Sequence, residues 1–326
     1  MKYYIKADSV NKAKNDVDEL LHDWGYHDLS NKNHSQGKIA HFFHQLSGVI
    51  GILTHVHSGD TLILQYPFKK FYFMACTFAH WKGGKVMTIV HDLGAFRRHK
   101  LTPEQENRRL SKTDKLIVHN ETMEKWVKAH GFKGKTVCLG IFDYLISTKP
   151  HSYPTPHSPW RIVYAGGLYK WRNAYLYNLD SSMNLWTLDL YGPGYEALEK
   201  DPKITWHGNL KEEQLMEQVE GDFGLVWDGG SLDECNGDWG SYLKINNPHK
   251  TSFYICAGIP VIVWKKAAMR NFIEDNNLGF SIDSIKDIDE KLRNMTPEQY
   301  KTMRDSVARF SALLRKGYFT EKSFKD

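Results

Sequence analysis

Short apolar runs of the kind that form buried β-strands alternate along this chain with segments whose apolar residues recur at helical spacing. In the first half, the predicted strands are Tyr3–Ala7, Thr61–Gln65, Val86–Val90, Lys115–Val118 and Thr136–Leu139. In the second half, they are Arg161–Ala165, Thr187–Tyr191, Ile204–His207, Phe223–Trp227, Pro260–Trp264 and Phe280–Ile282. This alternation predicts an α/β protein with mostly parallel sheets that are covered by helices.

Polar residues predict where several helices begin. Ser9 precedes a segment of helical spacing and is a possible N-cap. Thr102–Gln105 reads Thr-Pro-Glu-Gln, which is typical of a capping box with proline at the first helical position. Asn209–Glu212 and Thr296–Gln299 look like further helix starts.

A proline-rich stretch separates the two halves of the chain. Residues 149–159 hold four prolines in eleven residues, which neither a helix nor a central strand tolerates. We therefore predict two α/β domains, residues 1–148 and 161–305, joined by a linker over 149–160. Residues 306–326 are predicted to form a C-terminal helix that returns to the first domain.

Composition and charge narrow the class of protein. The 326 residues are 41% hydrophobic and 25% charged, which is ordinary for a soluble globular chain, and no apolar run approaches the ~20 residues of a membrane span. The N-terminus lacks the apolar core of a signal peptide. Four cysteines without a CxxC pair fit a reducing, cytoplasmic setting. A net charge of +5 permits an anionic ligand but is too small for a nucleic-acid surface.

The segment Asn246–Trp264 carries the strongest signal for a ligand. Asn247 is predicted to cap a short helix that begins at Pro248. Such a helix directs its free N–H groups and the positive end of its dipole towards its own start, where Lys250 adds a full charge. These features predict a phosphate site, and a plain capped helix with a solvated lysine is the alternative.

Two glycine turns follow apolar strands in the same half, at Gly166-Gly167 and at Gly192–Gly194. Glycine after a strand lets the backbone approach a ligand closely, and Lys170 and Arg172 could meet a phosphate there. Neither turn has the spacing of a dinucleotide-binding or P-loop motif. Ordinary tight turns are the alternative interpretation.

His91 and Asp92 directly follow the predicted strand Val86–Val90. A carboxylate at this position could orient a substrate hydroxyl or accept its proton, and the imidazole could bind a sugar or a phosphate. An Asx turn beside a hydrogen-bonded histidine is the alternative. Asp8 and Ser9 hold the corresponding position after the first strand, where capping a helix is the first interpretation and ligand contact a second one.

No metal site is predicted. His41-x-x-His44 and His55-x-His57 lack the cysteine or acidic partners that would complete a set of ligands. The acidic pairs Asp16/Asp18 and Asp287/Asp289 lie in helical, polar contexts rather than directly after an apolar strand. Nothing in the sequence therefore anchors metal-dependent nucleotide-sugar chemistry.

The segment Asn247–Trp264, together with Phe223–Trp227, resembles the C-terminal nucleotide-sugar site of GT-B glycosyltransferases. The closer resemblance is to bacterial accessory glycosyltransferases that extend O-linked N-acetylglucosamine on serine-rich repeat adhesins. The features that carry this resemblance span nearly the whole chain and include Gly25-Tyr26, His91-Asp92, Gln214–Glu217, Ala257–Val263 and Leu314–Thr320. Asn246–Lys250 also resembles bacterial galactofuranosyltransferases. The resemblance implies a GT-B fold, with two Rossmann-like α/β domains facing each other across a cleft.

The same resemblance implies roles for individual residues. Lys250 would bind the donor diphosphate, and Lys170 stands at a basic donor-binding position. Ser9 stands at the position of a hydroxyl residue in the first loop. Asn209 stands where a close relative has an aromatic residue. Phe253 stands where many such enzymes carry a glutamate. The predicted donor-binding residues are Lys250, Asn247, His249, Lys170, Gly166, Gly167, Ser9 and Asn209, and the catalytic candidates are Asp92 and His91.

The resemblance further implies a cytoplasmic, metal-independent enzyme without a cofactor. It would move glucose or N-acetylglucosamine from a UDP-sugar to a serine-rich repeat protein that already carries N-acetylglucosamine. We expect a homo-oligomer, either a dimer or a tetramer, and no nucleic-acid partner. Asp92 is the candidate base if the enzyme inverts and an orienting group if it retains. The alternatives are a galactofuranosyltransferase of cell-surface polysaccharide, a UDP-sugar epimerase and a non-catalytic chaperone of another glycosyltransferase.

Overall fold

Two six-stranded sheets organise the chain, one in each of two structural units. The first unit comprises Met1–Leu139 and Phe319–Asp326, and the second comprises Gly140–Tyr318. The division comes before the predicted linker, which therefore lies within the second unit. The computed structural model describes residues 1–7, 9–30, 38–68, 71–96, 99–179, 183–196 and 202–326, so Asp8 lies outside the described residues.

The sheet of the first unit has the order β2-β1-β3-β4-β5-β6, and its described strand pairs are all parallel. Its strands are β1 (Lys2–Tyr4), β2 (His27–Asp28), β3 (Thr61–Tyr66), β4 (Lys85–Val90), β5 (Lys115–Val118) and β6 (Lys135–Cys138). The five predicted strands are confirmed with small shifts at their ends. The strand β2 was not predicted because its two residues are exposed and polar.

The helices of the first unit connect these strands. They are α1 (Lys12–Asp23), α2 (Lys38–His55), α3 (Tyr72–Trp81), α4 (Pro103–Leu110) and α5 (Glu121–Ala129). The final helix, α12 (Tyr318–Lys325), contributes to this unit from Phe319 onwards. The ring of Phe324 meets the ring of Trp24 edge-on at 5.6 Å, and this contact joins the chain terminus to the end of α1.

The sheet of the second unit has the order β12-β11-β10-β7-β8-β9 and is likewise parallel in its described pairs. Its strands are β7 (Trp160–Ala165), β8 (Trp186–Tyr191), β9 (Ile204–Trp206), β10 (Phe223–Val226), β11 (Val261–Trp264) and β12 (Gly279–Ile282). All six predicted strands are confirmed. Every residue of β10, β11 and β12 is buried, as expected of parallel strands that are covered on both faces.

In the described part of the second unit, six α-helices accompany this sheet. They are α6 (Glu212–Gln218), α7 (Gly237–Tyr242), α8 (His249–Cys256), α9 (Arg270–Asp275), α10 (Ile288–Arg293) and α11 (Pro297–Leu314), and short 3₁₀ helices lie at Ala174–Tyr177 and Ile285–Asp287. Among the described residues, no helix combines the length and the apolar character that crossing a membrane requires.

The predicted helix starts are confirmed in part. Thr102 forms the predicted capping box of α4, and Thr296 forms a second capping box at the start of α11. Ser9 is not the N-cap of α1, because Asn11 accepts from the N–H of Ala13 and caps the helix instead. The hydroxyl of Ser9 accepts from the N–H of Asn11 at 3.1 Å, so Ser9 closes the turn before the helix.

The helix α8 lies directly against β10 because Gly224 has no side chain. A Cβ atom at Gly224 would lie 2.3 Å from the ring of Tyr254. The Tyr254 hydroxyl accepts from the N–H of Ala165 at 2.7 Å and donates to the carbonyl of Leu225 at 3.3 Å. Since Tyr254 stands one helical turn after Lys250, these bonds also position Lys250 at the carboxyl edge of the sheet.

Asp18 makes the first unit sensitive to pH. It is 3% exposed, and its carboxylate accepts from the N–H of Ala7 at 2.8 Å and from the amide of Gln65 at 2.7 Å. Burial, with a further contribution from Asp28, raises the pKa of Asp18 from 3.8 to about 7. Between these two values the folded protein holds a proton that the unfolded chain has lost, so stability falls as the pH rises.

We expect Asp18→Asn to reduce the decline in the free energy of unfolding between pH ~4 and pH ~7, because the substitution removes this titration. Urea denaturation of the wild type and the variant across that range measures the effect. The control is Asp23→Asn, which changes an exposed carboxylate at the end of the same helix. Parallel pH dependences for the wild type and Asp18→Asn would contradict the assignment.

Candidate functional site

A pocket of about 260 Å³ opens at the carboxyl edge of the sheet in the second unit. The glycine turns after β7 and β8, the loop before α6 and the start of α8 all contribute to its walls. Its lining residues are Tyr144, Ala165, Gly166, Tyr191, Gly192, Pro193, Asn209, Leu210, Leu215, His249, Lys250 and Phe253. Ligands of parallel α/β sheets bind at this edge, so the pocket is the candidate site of the second unit.

The two glycine turns lie against each other at the pocket. The N–H of Gly166 donates to the carbonyl of Tyr191 at 2.9 Å, and the N–H of Leu168 donates to Pro193 at 2.8 Å. Gly192 has a φ of +138°, and a Cβ atom there would lie 1.9 Å from the carbonyl oxygen of Gly166. Only glycine fits at this position, and its missing side chain lets the two turns pack directly against each other.

The start of α8 differs from the prediction by one residue. Pro248 is the N-cap, the helix begins at His249, and the predicted N-cap Asn247 is not the capping residue. The Asn247 amide instead donates to the carbonyl of Gly140 at 2.8 Å. Nε2 of His249 lies 3.3 Å from the carbonyl of Asp143, so both side chains hold the segment that follows β6 against the start of α8.

Behind Lys250 lies a cluster of charged and polar side chains that is centred on Asp228. Lys250 Nζ donates to Oδ2 of Asp228 at 3.1 Å and to the Tyr164 hydroxyl at 3.0 Å. Arg172 donates to Oδ1 of Asp228 from Nε at 3.0 Å and from Nη2 at 2.8 Å. The Tyr164 hydroxyl donates to the same oxygen at 3.2 Å, and Asn173 donates to that hydroxyl at 2.9 Å.

The cluster keeps a net positive charge beside the pocket. Burial opposes the ionisation of Asp228, but Lys250 and Arg172 together hold its pKa below the ordinary value. Burial lowers the pKa of Lys250, and the neighbouring Asp228 carboxylate opposes that shift. Two cations and one carboxylate leave one positive charge, which suits an anionic ligand.

In the first unit, a second group of polar residues lies at the carboxyl edge of the sheet. His91 and Asp92 follow β4, both half-buried, and the N–H of His91 donates to the carbonyl of Tyr66 at 2.8 Å. The fully buried Glu106 accepts from the N–H groups of Gly94 at 2.8 Å and Ala95 at 2.7 Å. Glu106 thus holds the loop that follows Asp92, and burial raises its own pKa.

His119 follows β5 at the same sheet edge and is 1% exposed. Its Nε2 lies 3.0 Å from the carbonyl of Val90, directly before His91. Burial lowers the pKa of His119 to about 3, so the ring is neutral at pH 7 and donates this bond. His119 therefore fixes the end of β4 and does not supply a positive charge there.

Two families match almost the whole chain between them. The family described as "Glucosyltransferase 3-like, C-terminal domain" matches residues 162–326, and "Glucosyltransferase 3-like, N-terminal domain" matches residues 3–141. The chain belongs to the glucosyltransferase 3-like family. The resemblance stated from the sequence is thereby confirmed.

Two individual relatives agree with this assignment, and one solved structure shares the fold. The beta-1,6-galactofuranosyltransferase WbbI of Escherichia coli (strain K12) is 31% identical over 271 residues, which cover 82% of this chain and 79% of that protein. Glucosyltransferase 3 of Streptococcus gordonii is 27% identical over 331 residues, which cover 96% of this chain and 92% of that protein. The structure of the apo lipopolysaccharide outer core galactosyltransferase WaaB matches with a TM-score of 0.65 at 14% identity. The match covers 100% of this chain and 99% of that chain. The protein is a glycosyltransferase, and the predicted GT-B fold class is confirmed.

The pocket of this glucosyltransferase 3-like chain brings together four of the predicted donor-binding residues, namely Gly166, Asn209, His249 and Lys250. Gly167 lies in the adjoining turn, where its carbonyl accepts from Asn173 at 2.7 Å. Lys170 is exposed, with its ammonium 5.5 Å from the Tyr177 ring centroid, and it does not line the pocket. Ser9, His91 and Asp92 belong to the first unit.

Three buried acidic or histidine residues of these two sites were not singled out from the sequence. Asp228 follows the predicted strand Phe223–Trp227, and His119 follows Lys115–Val118, so both carry the signal that identified Asp92. Glu106 carries no such signal, because a glutamate in the first turn of a capped helix normally faces solvent. In the part of the chain that the structure describes, no three His, Cys, Asp or Glu side chains are grouped to hold a metal ion.

Proposed function

We propose that this glycosyltransferase moves glucose or N-acetylglucosamine from a UDP-sugar to a serine-rich repeat protein that already carries N-acetylglucosamine. The observation that carries the proposal is the pocket of the second unit, where Lys250 and the start of α8 meet two glycine turns. This combination suits a nucleoside diphosphate, because the start of a helix and a full positive charge both favour phosphate. Leu210 and Leu215 add apolar walls that suit a flat base.

The donor side of the reaction follows from the charge of the pocket. Lys250 and the start of α8 would neutralise the charge that develops on the leaving diphosphate. Arg172, which shares Asp228 with Lys250, adds a second cation behind the pocket. We infer that these fixed charges take the place of a divalent cation. The proposed enzyme therefore needs neither a metal nor a cofactor besides the donor.

The acceptor side is proposed for the first unit. Asp92 follows β4 at the carboxyl edge of the sheet, in a loop that Glu106 holds in place. A carboxylate held in this way could accept the proton of an acceptor hydroxyl if the enzyme inverts, or orient that hydroxyl if it retains. We infer that His91 assists by hydrogen bonding to a sugar and that Ser9 contributes a hydroxyl from the first loop.

The setting of the enzyme is also a proposal. The four free cysteines, Cys76, Cys138, Cys235 and Cys256, support a reducing cytoplasm. Ile39, Phe43 and Ile50 of α2 are 76%, 60% and 52% exposed, which supports a homo-oligomer, a dimer or a tetramer. We also propose that nucleic acid is not a partner of this protein.

Transfer of galactofuranose to a cell-surface polysaccharide is the second candidate function, which the 31% identity to WbbI favours. A UDP-sugar epimerase would act on the donor alone, and a non-catalytic chaperone of another glycosyltransferase would form no product. These functions differ in what they make from the same mixtures. One product assay therefore separates them.

We expect glycopeptide when UDP-glucose or UDP-N-acetylglucosamine is mixed with the protein and a serine-rich peptide bearing N-acetylglucosamine. EDTA should leave the rate nearly unchanged, and mass spectrometry of the peptide measures both results. A new UDP-sugar without acceptor would indicate an epimerase, and transfer from UDP-galactofuranose alone would favour the second candidate. No product from any donor, with either the peptide or a cell-surface polysaccharide as acceptor, would indicate a chaperone. Loss of activity with EDTA and recovery with manganese would overturn metal independence.

We expect Lys250→Ala to weaken UDP binding, because a charge-assisted phosphate contact contributes about 1.5–3 kcal/mol. That range corresponds to roughly ten- to hundredfold in the dissociation constant measured by calorimetry. Lys286→Ala is the control, since Lys286 is exposed in an ion pair with Asp233 and does not line the pocket. Equal affinities for a folded Lys250→Ala protein and the wild type would move the diphosphate site elsewhere.

We expect Asp92→Asn to lower turnover by about 10²- to 10⁴-fold, the range of general-base assistance, with little change in UDP affinity. Asp114→Asn is the control, because Asp114 accepts from the N–H of Val86 at the amino end of the same strand. Turnover, UDP affinity and melting temperature are measured on one preparation of each variant. Near-normal turnover in folded Asp92→Asn would end the catalytic assignment.

A further inference from the structure

Asp228 joins three parts of the second unit through one buried carboxylate. It follows β10 and is 3% exposed. Arg172 reaches it from the loop after β7, and Lys250 reaches it from the first turn of α8. Each carboxylate oxygen accepts from a different cation, so the positions of the two cations are coupled through Asp228.

The arrangement leaves part of Lys250 available to a ligand. An ammonium has three N–H donors, and Lys250 uses one on Asp228 and one on the Tyr164 hydroxyl. Its side chain is 12% exposed and lines the pocket. The third donor can therefore bind an anion in the pocket while the other two hold the side chain in one position.

Arg172 is held from a second side as well. Its guanidinium carbon lies 3.7 Å from the ring centroid of Trp239 in α7, which is stacking geometry for a cation on an aromatic ring. A carboxylate on one side and an indole on the other restrict the guanidinium to one orientation. The pairing of Arg172 with Asp228 is therefore part of a rigid base for Lys250.

We propose that Asp228 is a positioning residue, which holds Lys250 charged and aimed into the pocket so that its remaining N–H binds the donor diphosphate. This inference rests on the proposed function, because it assumes that the pocket binds the diphosphate. A lysine carries a flexible four-carbon chain, and fixing that chain in advance reduces the entropy lost on binding.

The charged and titratable groups around Lys250 define what Asp228 does for it. They are Asp228, Arg172, Tyr164 and Cys235. Burial raises the pKa of both Tyr164 and Cys235, so these two groups are neutral at pH 7. Arg172 opposes the charge on Lys250, and Asp228 is therefore the carboxylate that compensates for burial of the ammonium.

The test compares Asp228→Asn with the wild type in UDP affinity, by calorimetry from pH ~6 to pH ~9. The variant keeps the shape of the side chain but loses its charge, so Lys250 gives up its proton at lower pH. We expect the variant to bind UDP as tightly as the wild type at pH ~6 and at least about tenfold more weakly at pH ~9. UDP also titrates in this range, but its titration affects both proteins equally. It therefore cancels in the ratio of the variant's affinity to the wild-type affinity at each pH.

Asp289→Asn is the matched control in the same unit. Asp289 is also a buried carboxylate, but it accepts from the amide groups of Asn184 and from the N–H of Leu185, directly before β8. Its loss should lower the melting temperature without changing the pH dependence of UDP affinity. A role of Asp228 in stability alone would give the same pattern for Asp228→Asn, and that result would overturn the inference.

A second measurement separates the inference from the proposed function. The pH at which Lys250 becomes acetylated by acetic anhydride, followed by peptide mass spectrometry without UDP, reports when the amine loses its proton. We expect this midpoint to fall by about one pH unit or more in Asp228→Asn. An unchanged midpoint would overturn the inference. A different pair of results would be a lowered midpoint in Asp228→Asn together with normal UDP binding by Lys250→Ala. That pair would refute the diphosphate site and leave the charge coupling between Asp228 and Lys250 intact.

Discussion

The close approach of α8 to β10 is the constraint on which the pocket depends. Gly224 leaves room on the strand for the ring of Tyr254, whose hydroxyl then bonds to the backbone of two neighbouring strands. The packing is apolar and fully buried, so a small displacement would leave a void or a clash. Because Lys250 lies one turn earlier on the same helix, core packing sets the position of the charge in the pocket.

The buried charges of the second unit show a compromise between stability and binding. Removing Lys250, Arg172 and Asp228 from water is costly, and their mutual attraction recovers this cost only because both carboxylate oxygens are occupied. A cluster of apolar side chains would fill the same space at less cost. The charged cluster instead provides a fixed positive charge next to two glycine turns, which suits an anionic ligand.

The two units use the same structural rule for different chemistry. In both sheets, polar side chains follow central strands at the carboxyl edge, with Asp92 after β4 and Asp228 after β10. In the first unit, Glu106 binds backbone N–H groups and shapes a loop. In the second unit, Asp228 binds two cations and shapes an electrostatic field. Parallel sheets place such groups together because every strand ends at the same edge.

The sequence by itself determined the elements, because apolar runs and capping boxes act over a few residues: all eleven predicted strands and the starts of α4 and α11 are present. It also indicated the glycine turns and Lys250. Only the tertiary structure decided that Asp228 joins Lys250 to Arg172 and that Asn247 bonds to Gly140 instead of capping α8. These partners are far apart in the chain, and they meet because burial requires each polar group to find a partner in the folded interior.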